Sequence, residues 1–396
     1  MPSKQTSMNE STTSLLTSIL GGTVGLTVTL FWYLSRPKAL PSHKKENKQV
    51  QRRLIVDEPN SDLTKVKFDV KEFPMPRPRY GQVLVKIAAL PVNPSDFNEW
   101  KSPNFKGRPF GLEGSGLVVA SGGGIMAGLL VGRKVGIIAS GRDSKDVSNS
   151  MKTAAEYICI DAMKSVWSLP DNVNLVDAAS WFVNPGTVLS ILGTAQSDAM
   201  IHTGASSQLG QMLVKLVATK PNVTLVNVVR RKEHVTMLKD LGAKHVICQA
   251  DEDWLDQLSA KAKELNVKVA FDAVAGDMTG QLLSILPKRG IVYVYGVLAG
   301  QPVGKVEPID LIYRQKQVKG FSLAHSWLPK AGATFGPLGV LWRTKWCIQQ
   351  LAPNLSEEGW ASSQYHDCSM ADMQQEFSGL AQKGFTGKKL RIRMDL

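Results

Sequence analysis

The residues whose types and spacing could do chemistry are Gly204 and Gly210, taken with the basic cluster Arg230, Arg231 and Lys232. In the stretch 198–210 (DAMIHTGASSQLG) an apolar run ends in a Gly/Ser-rich turn, and a helical pattern (211–218, QMLVKLVA) follows at once. Strand, tight turn and helix in that order cradle a dinucleotide pyrophosphate. Glycine lets the backbone approach the phosphates, and free N–H groups at the helix start attract their charge. About twenty residues further on, where the second strand of such a unit ends, the run 223–229 (VTLVNVV) leads into the three basic residues. An acidic residue there would suit the ribose 2′-OH of NAD, whereas a basic cluster suits the 2′-phosphate of NADP. The runs 270–276 (AFDAVAG) and 290–296 (GIVYVYG) read as buried strands ending in glycine at a sheet edge where the cofactor would lie. The full G-x-G-x-x-G is absent, and an ordinary βα turn is also rich in small residues. It is the combination that points to a dinucleotide site.

Positioning these residues requires a parallel sheet. From residue 176 onward helical segments alternate with strands at 199–203, 223–229, 245–248, 269–272 and 291–295, the pattern of a sheet with helices on both faces. Before it, short alternating runs at 54–56, 66–70, 83–88, 116–119, 135–138 and 157–160 are punctuated by Pro and Gly, as in a β-rich, partly open barrel. A last strand fits 387–393. At 396 residues the chain has room for two domains, and the α/β nucleotide domain is inserted late in the β-rich one. The four cysteines (Cys159, Cys248, Cys347, Cys368) form no C-x-x-C, which argues against a disulfide framework or thiolate zinc site.

The net charge of +13 is uneven. Residues 1–53 hold eight Lys/Arg against two acids, whereas no charge occurs from Ser11 to Ser35. The twenty residues 15–34 are long enough to span roughly 30 Å of hydrocarbon as a helix. They end in Phe31, Trp32 and Tyr33, suited to a membrane interface, and basic residues follow. A cleaved signal peptide would reverse that charge order, and a buried core helix fits poorly before a polar linker. The reading is a short tail (1–14), a transmembrane anchor (15–34) and a solvated basic linker (35–50), with the body on the cytosolic side. The moderately apolar span and basic flank resemble mitochondrial outer-membrane signal anchors, with the endoplasmic reticulum as the alternative. No basic stripe interleaved with aromatics argues for nucleic acid.

Over about residues 51–396 the chain resembles the medium-chain dehydrogenase/reductase superfamily. The motifs are 92–96 (VNPSD), 111–116 (GLEGSG), 178–187 (AASWFVNPGT), 227–230 (NVVR), 238–246 (LKDLGAKHV), Tyr295–Gly296 with 301–303 (QPV), and 320–323 (GFSL). They are similar to the zinc-free quinone oxidoreductases and mitochondrial 2-enoyl thioester reductases. The resemblance implies a GroES-like catalytic domain (51–186 and 321–396) around a doubly wound Rossmann NADP-binding domain (187–320). It implies that Gly204, Ala205, Ser206, Ser207 and Gly210 hold the pyrophosphate and that Arg230, with Arg231 or Lys232, meets the 2′-phosphate. Asn184 and Thr187 would border the nicotinamide, Tyr295 and Gly296 would back the ribose, Phe321 and Leu323 would line the ring, and Asn93 would sit near the reacting end. A homodimer through the nucleotide domain is implied as well.

Catalytic zinc in this superfamily needs a histidine where Leu112 stands, so no metal is expected. The enoyl thioester reductases carry a tyrosine about eight residues past the N-P-S-D motif. Here that place falls on Asn104, which can donate a hydrogen bond but cannot readily give up a proton. The expected activity is therefore NADPH-dependent reduction of a quinone or an α,β-unsaturated carbonyl. The alternatives are a 2-enoyl thioester reductase and a non-catalytic NADPH-binding sensor or scaffold.

Overall fold

The computed structural model describes residues 35–46, 49–139, 151–323, 349–355, 359–383 and 387–395. The expected anchor, 15–34, and the tail before it lie outside the described residues. Among the described residues no helix is long and apolar enough to cross a membrane.

In chain order the strands are β1 (Lys38–Ala39), β2 (Val50–Glu58), β3 (Lys67–Pro74), β4 (Gln82–Pro91), β5 (Arg108–Pro109), β6 (Glu113–Ser121), β7 (Lys134–Ile138), β8 (Tyr157–Asp161) and β9 (Val166–Ser168). The nucleotide half supplies β10 (Ala199–Thr203), β11 (Thr224–Val229), β12 (His245–Cys248), β13 (Val269–Asp272), β14 (Ile291–Val294) and β15 (Gln317–Gly320); β16 (Tyr365–Cys368) and β17 (Lys389–Arg393) follow.

The β-rich half is a sheet in the order β16-β17-β4-β6-β7-β9, with β1 added to β6 and β8 to β4, beside a smaller sheet β3-β2-β5. β4 is central because its apolar run is covered on both sides, and it pairs antiparallel with β6, β8 and β17. In the core of this half Trp100 is fully buried and meets Phe68, Phe110 and Phe377 edge to face at 4.8, 4.9 and 5.0 Å. Contacts of this kind contribute ~0.5–1.5 kcal/mol each beyond burial. They fix the helix Asp96–Lys101, and the Asn93 turn before it, onto the barrel.

The second half is a six-stranded sheet in the order β12-β11-β10-β13-β14-β15, every pairing parallel. Its first strand, β10, sits at the centre and the order reverses between β10 and β13. A crevice at the carboxyl ends of the strands opens at such a reversal. Apolar clusters cover both faces, one around Met200, Leu213 and Phe271 and the other around Ile201, Val226 and Leu282. The expected α/β class, with a β-rich lobe and a parallel sheet, holds.

The passage from one lobe to the other expected at 186/187 lies within the continuous helix Val183–Ala195. Within the stretch read as a solvated linker, 35–50, residues 38–40 pack on the barrel instead: β1 pairs with β6, Lys38 opposite Ser121, and the Leu40 amide donates to Val119 O at 2.8 Å. Ala39 and Leu40 close over Leu84, Val119 and Tyr157. The surrounding lysines and prolines hid this apolar pair from a reading based on composition.

Candidate active site

β10 ends at Thr203, and Gly204 takes the left-handed conformation (φ 61°) that turns the chain. The helix Gln208–Ala218 then starts at Ser207, whose Oγ accepts from the Gly210 amide at 3.2 Å. A Cβ on Gly210 would lie 2.3 Å from Ala205 O, so only glycine lets the helix start this close to the turn. The first-turn N–H groups of this helix face the crevice end of the sheet, an arrangement that favours an anion.

At the tip of β11 the three basic residues are not equivalent. Arg231 pairs with Glu233 at 3.2 Å and Lys232 with Asp251 at 3.2 Å. Arg230 is exposed and, among the described residues, makes no ion pair. It is the cation of the three available to a phosphate.

Beneath the turn lies a network that sequence reasoning missed. The Asp272 carboxylate is fully buried and accepts from Thr203 Oγ1 (2.8 Å), Thr279 Oγ1 (2.7 Å) and the Val274 amide (2.9 Å). It thus ties β10, β13 and the helix Asp277–Ile285 together. Across β13, the Tyr295 hydroxyl meets His202 Nε2 at 2.6 Å with the rings stacked at 11°. Burial pushes the His202 imidazole down to about 3, so it is neutral at physiological pH. Burial also raises the Tyr295 phenol, with the Asp272 charge adding to the effect. The Gly296 amide reaches Asp272 O at 3.4 Å. The faint signal for this network was Asp272 itself, a lone charge at the end of an apolar run.

A second buried cluster surrounds Asn93. Its amide donates to Asp96 Oδ2 at 2.7 Å, and its Nδ2 donates to Glu113 Oε1 at 3.2 Å. Glu113 is fully buried; its Oε2 accepts from the Val183 amide at 2.8 Å, and Lys389 Nζ lies 3.5 Å from its Oε1. Glu113 therefore holds the start of the helix that carries Asn184 and Thr187. Thr187 Oγ1 donates to Val183 O at 2.6 Å within that helix, and Leu323 packs on Gly186. Asp96 is enclosed, and burial pushes its carboxyl up to about 7, opposed by the Asn93 amide and by Lys152 and Lys389 and reinforced by Glu99. Burial lowers the Lys389 ammonium against the pull of Glu113 and Asp96. Among the described residues Asn93 Oδ1 and Asp96 Oδ1 have no hydrogen-bond partner.

The other expected residues are more dispersed. Phe321 is buried between Phe271 and Tyr293, with ring centroids 5.6 and 6.0 Å away. Asn104 lies exposed in the single turn Pro103–Phe105, without a hydrogen bond to the Asn93 cluster. Leu112 precedes β6, and among the described residues no group of three His, Cys, Asp or Glu could hold a metal ion. Burial pushes the Cys159 and Cys368 thiols up to about 12.

The helix after the glycine turn is tied to the other lobe. Gln208 Oε1 accepts from the Gln364 amide at 2.8 Å and its Nε2 donates to Gly387 O, while Lys215 Nζ donates to Ser362 Oγ at 2.7 Å. Neither side chain attracted notice in the sequence.

Both lobes have counterparts among known proteins. Residues 79–171 match the alcohol dehydrogenase GroES-like domain, and residues 209–333 match the zinc-binding dehydrogenase domain. The mitochondrial enoyl-[acyl-carrier-protein] reductase of Xenopus tropicalis is 30% identical over 271 residues, 64% of this chain and 72% of that protein. A protein of Mesorhizobium loti described as an NADPH:quinone reductase superposes with a TM-score of 0.73 at 25% identity, covering 87% of this chain and 99% of the other. A mycobacterial protein complexed with NADPH shares the fold at a TM-score of 0.67 and 22% identity, again over 87% and 99%. A GroES-like lobe joined to an all-parallel nucleotide sheet is the build of the two-domain dehydrogenases. The chain belongs to the medium-chain dehydrogenase/reductase superfamily, in its quinone oxidoreductase and enoyl reductase branch.

Proposed function

We propose that this protein is a zinc-independent, NADPH-dependent reductase that delivers hydride to a quinone or an α,β-unsaturated carbonyl. The observation that carries the reading is the glycine turn at the sheet reversal with Arg230 at the tip of the neighbouring strand. The residues fit the cofactor: Gly210 leaves space a Cβ would fill, and the helix start offers N–H groups to the pyrophosphate beside Gly204, Ala205, Ser206 and Ser207. NADPH, when bound, supplies the hydride from C4 of its nicotinamide. Arg230 pairs with the 2′-phosphate, flanked by Arg231 and Lys232. Tyr295, braced by His202, and Gly296 back the ribose. Asn184 and Thr187 border the nicotinamide with Leu323 and Phe321, and Asn93 orients the acceptor. With Asn104 in place of a phenol, solvent supplies the proton. Leu112 cannot ligate zinc, and nothing in the proposed step requires a metal.

The 30% identity to a mitochondrial enoyl-[acyl-carrier-protein] reductase favours a second reading, reduction of a 2-enoyl thioester. The full chain in detergent, mixed with NADPH and in turn with a quinone, a short enal and an enoyl thioester, separates the two by which acceptor consumes the reduced nicotinamide. Saturable NADPH binding with no oxidation by any acceptor would instead support a non-catalytic sensor or scaffold. Replacing Arg230 with alanine is expected to weaken NADPH by about 10- to 100-fold, the worth of a charge-assisted contact of roughly 1.5–3 kcal/mol, while leaving NADH nearly unchanged. Equal losses for both would sink the assignment.

Residues 15–34 are proposed to anchor the protein in a membrane, the mitochondrial outer membrane before the endoplasmic reticulum, with the body cytosolic. A homodimer is proposed along β15. Among the described residues that strand pairs only with β14, and Ile309, Ile312 and Tyr313 just before it are exposed. Sedimentation in detergent should give twice the monomer mass, reverting to monomer in Ile312→Asp.

A further inference from the structure

The end of the β-rich lobe where the chain enters the described fold is unusual. Ser35 O accepts from the Gly124 amide at 2.6 Å, so the last residue of the uncharged stretch is fixed at the start of the helix Ile125–Leu130. Around this point four large apolar side chains face solvent: Tyr80 is 71% exposed, Met126 50%, Leu129 58% and Met163 58%. They share one rim. The Tyr80 ring lies over Gly123 and Gly124, the Gly81 amide donates to Gly123 O at 3.0 Å, and the Ala162 amide donates to Gly81 O at 3.0 Å, which brings Met163 beside Tyr80. Met126 and Leu129 are three apart on one helix and project on the same face. Arg36, Arg79 and Lys164 are exposed on the same rim. Asp161 is held inward, its Oδ1 accepting from the Met163 and Lys164 amides at 2.9 Å each.

We propose that this rim is a membrane-docking face, seated in the headgroup region of the bilayer that holds residues 15–34, with its cations on anionic phospholipid. Aromatic and aliphatic side chains beside a basic fringe suit that interface. The inference rests on the anchor reading. β1 is hydrogen-bonded to β6 three residues after Ser35, so no loose tether separates the anchored segment from this face. The bilayer therefore meets the side of the barrel from which the chain emerges.

The test uses the full chain, with Cys347→Ser, reconstituted into vesicles of phosphatidylcholine and phosphatidylserine. Single cysteines replace Met126 or Met163, with Asp256→Cys on the nucleotide lobe as the control, each labelled with an environment-sensitive fluorophore. Labels at 126 and 163 should emit blue-shifted and lose most of their emission to brominated lipid, and the label at 256 should do neither. Resistance to alkaline carbonate reports the anchor separately. Carbonate-resistant protein whose labels at 126 and 163 are quenched no more than that at 256 overturns the docking face and leaves the anchor standing. Quenching of carbonate-extractable protein supports the face and removes the anchor. A blue shift without lipid quenching means the rim is covered by protein, a second copy included, and overturns the proposal.

Discussion

Replacing Glu113 with alanine is expected to cost the fold about 3–5 kcal/mol, the usual penalty for removing one member of a buried ion pair. Glu113 is fully buried and serves four partners: Lys389 Nζ at 3.5 Å, Asn93 Nδ2 at 3.2 Å, the Val183 amide at 2.8 Å and the Phe182 amide at 3.4 Å. Without it a lysine is left in the interior with no near carboxylate except Asp96, which is itself poor at holding a charge there. Glu113→Gln keeps the shape and an acceptor for Val183 but loses the charge, so its loss should be intermediate. Denaturant midpoints measured with NADPH absent check this directly. A Glu113→Ala protein within ~1 kcal/mol of the parent, the range of exposed pairs, would mean that Lys389 is not held by this carboxylate.

The second large effect is one of pH. Asp96 has an ordinary value of 3.8, but burial pushes its carboxyl up to about 7 in the folded chain. An acid raised on folding stabilises the protein while both states are protonated, below pH ~4, and that stability is lost as the pH rises through the folded value near 7. The difference is at most about 4 kcal/mol at 1.36 kcal/mol per unit. Asp96→Asn should therefore match the parent at acidic pH and exceed it above neutrality, flattening the decline between. The groups facing Asp96 act on the same window: Glu99 raises its value, and Lys152 and Lys389 lower it. Lys389 itself, lowered by burial, costs stability in the opposite direction, as the pH falls through its folded value. Unfolding curves across this range decide the matter. An Asp96→Asn protein less stable than the parent at alkaline pH would show that the carboxylate is charged and paired.

Much of the nucleotide half was legible because its signals are local. Strands β10, β12 and β13 are continuous apolar runs bounded by turns, and Gly204, Gly210 and Arg230 sit at fixed offsets along one βαβ unit. The buried clusters were not legible for the opposite reason. Glu113 and Lys389 meet across hundreds of residues, and in the alternating run 387–393 Lys389 reads as a solvent-facing residue. Tyr295 is expected beside the ribose and His202 lies in the apolar run before the glycine turn; nothing local in the sequence shows that they touch across an intervening strand. Asn93, Asp96 and Glu113 stand in separate motifs, and only the fold brings the three together in one buried cluster, where an acid is costly enough to require partners.

Gln208 has a mechanical consequence. It is the first residue of the helix after the glycine turn, yet both ends of its amide are held by the other lobe, at Gln364 and Gly387. With Lys215 on Ser362 it clamps one helix to the other lobe at two points, so the lobes resist sliding at the phosphate end of the cleft, and a side chain too short to reach Gln364 and Gly387 would loosen that end.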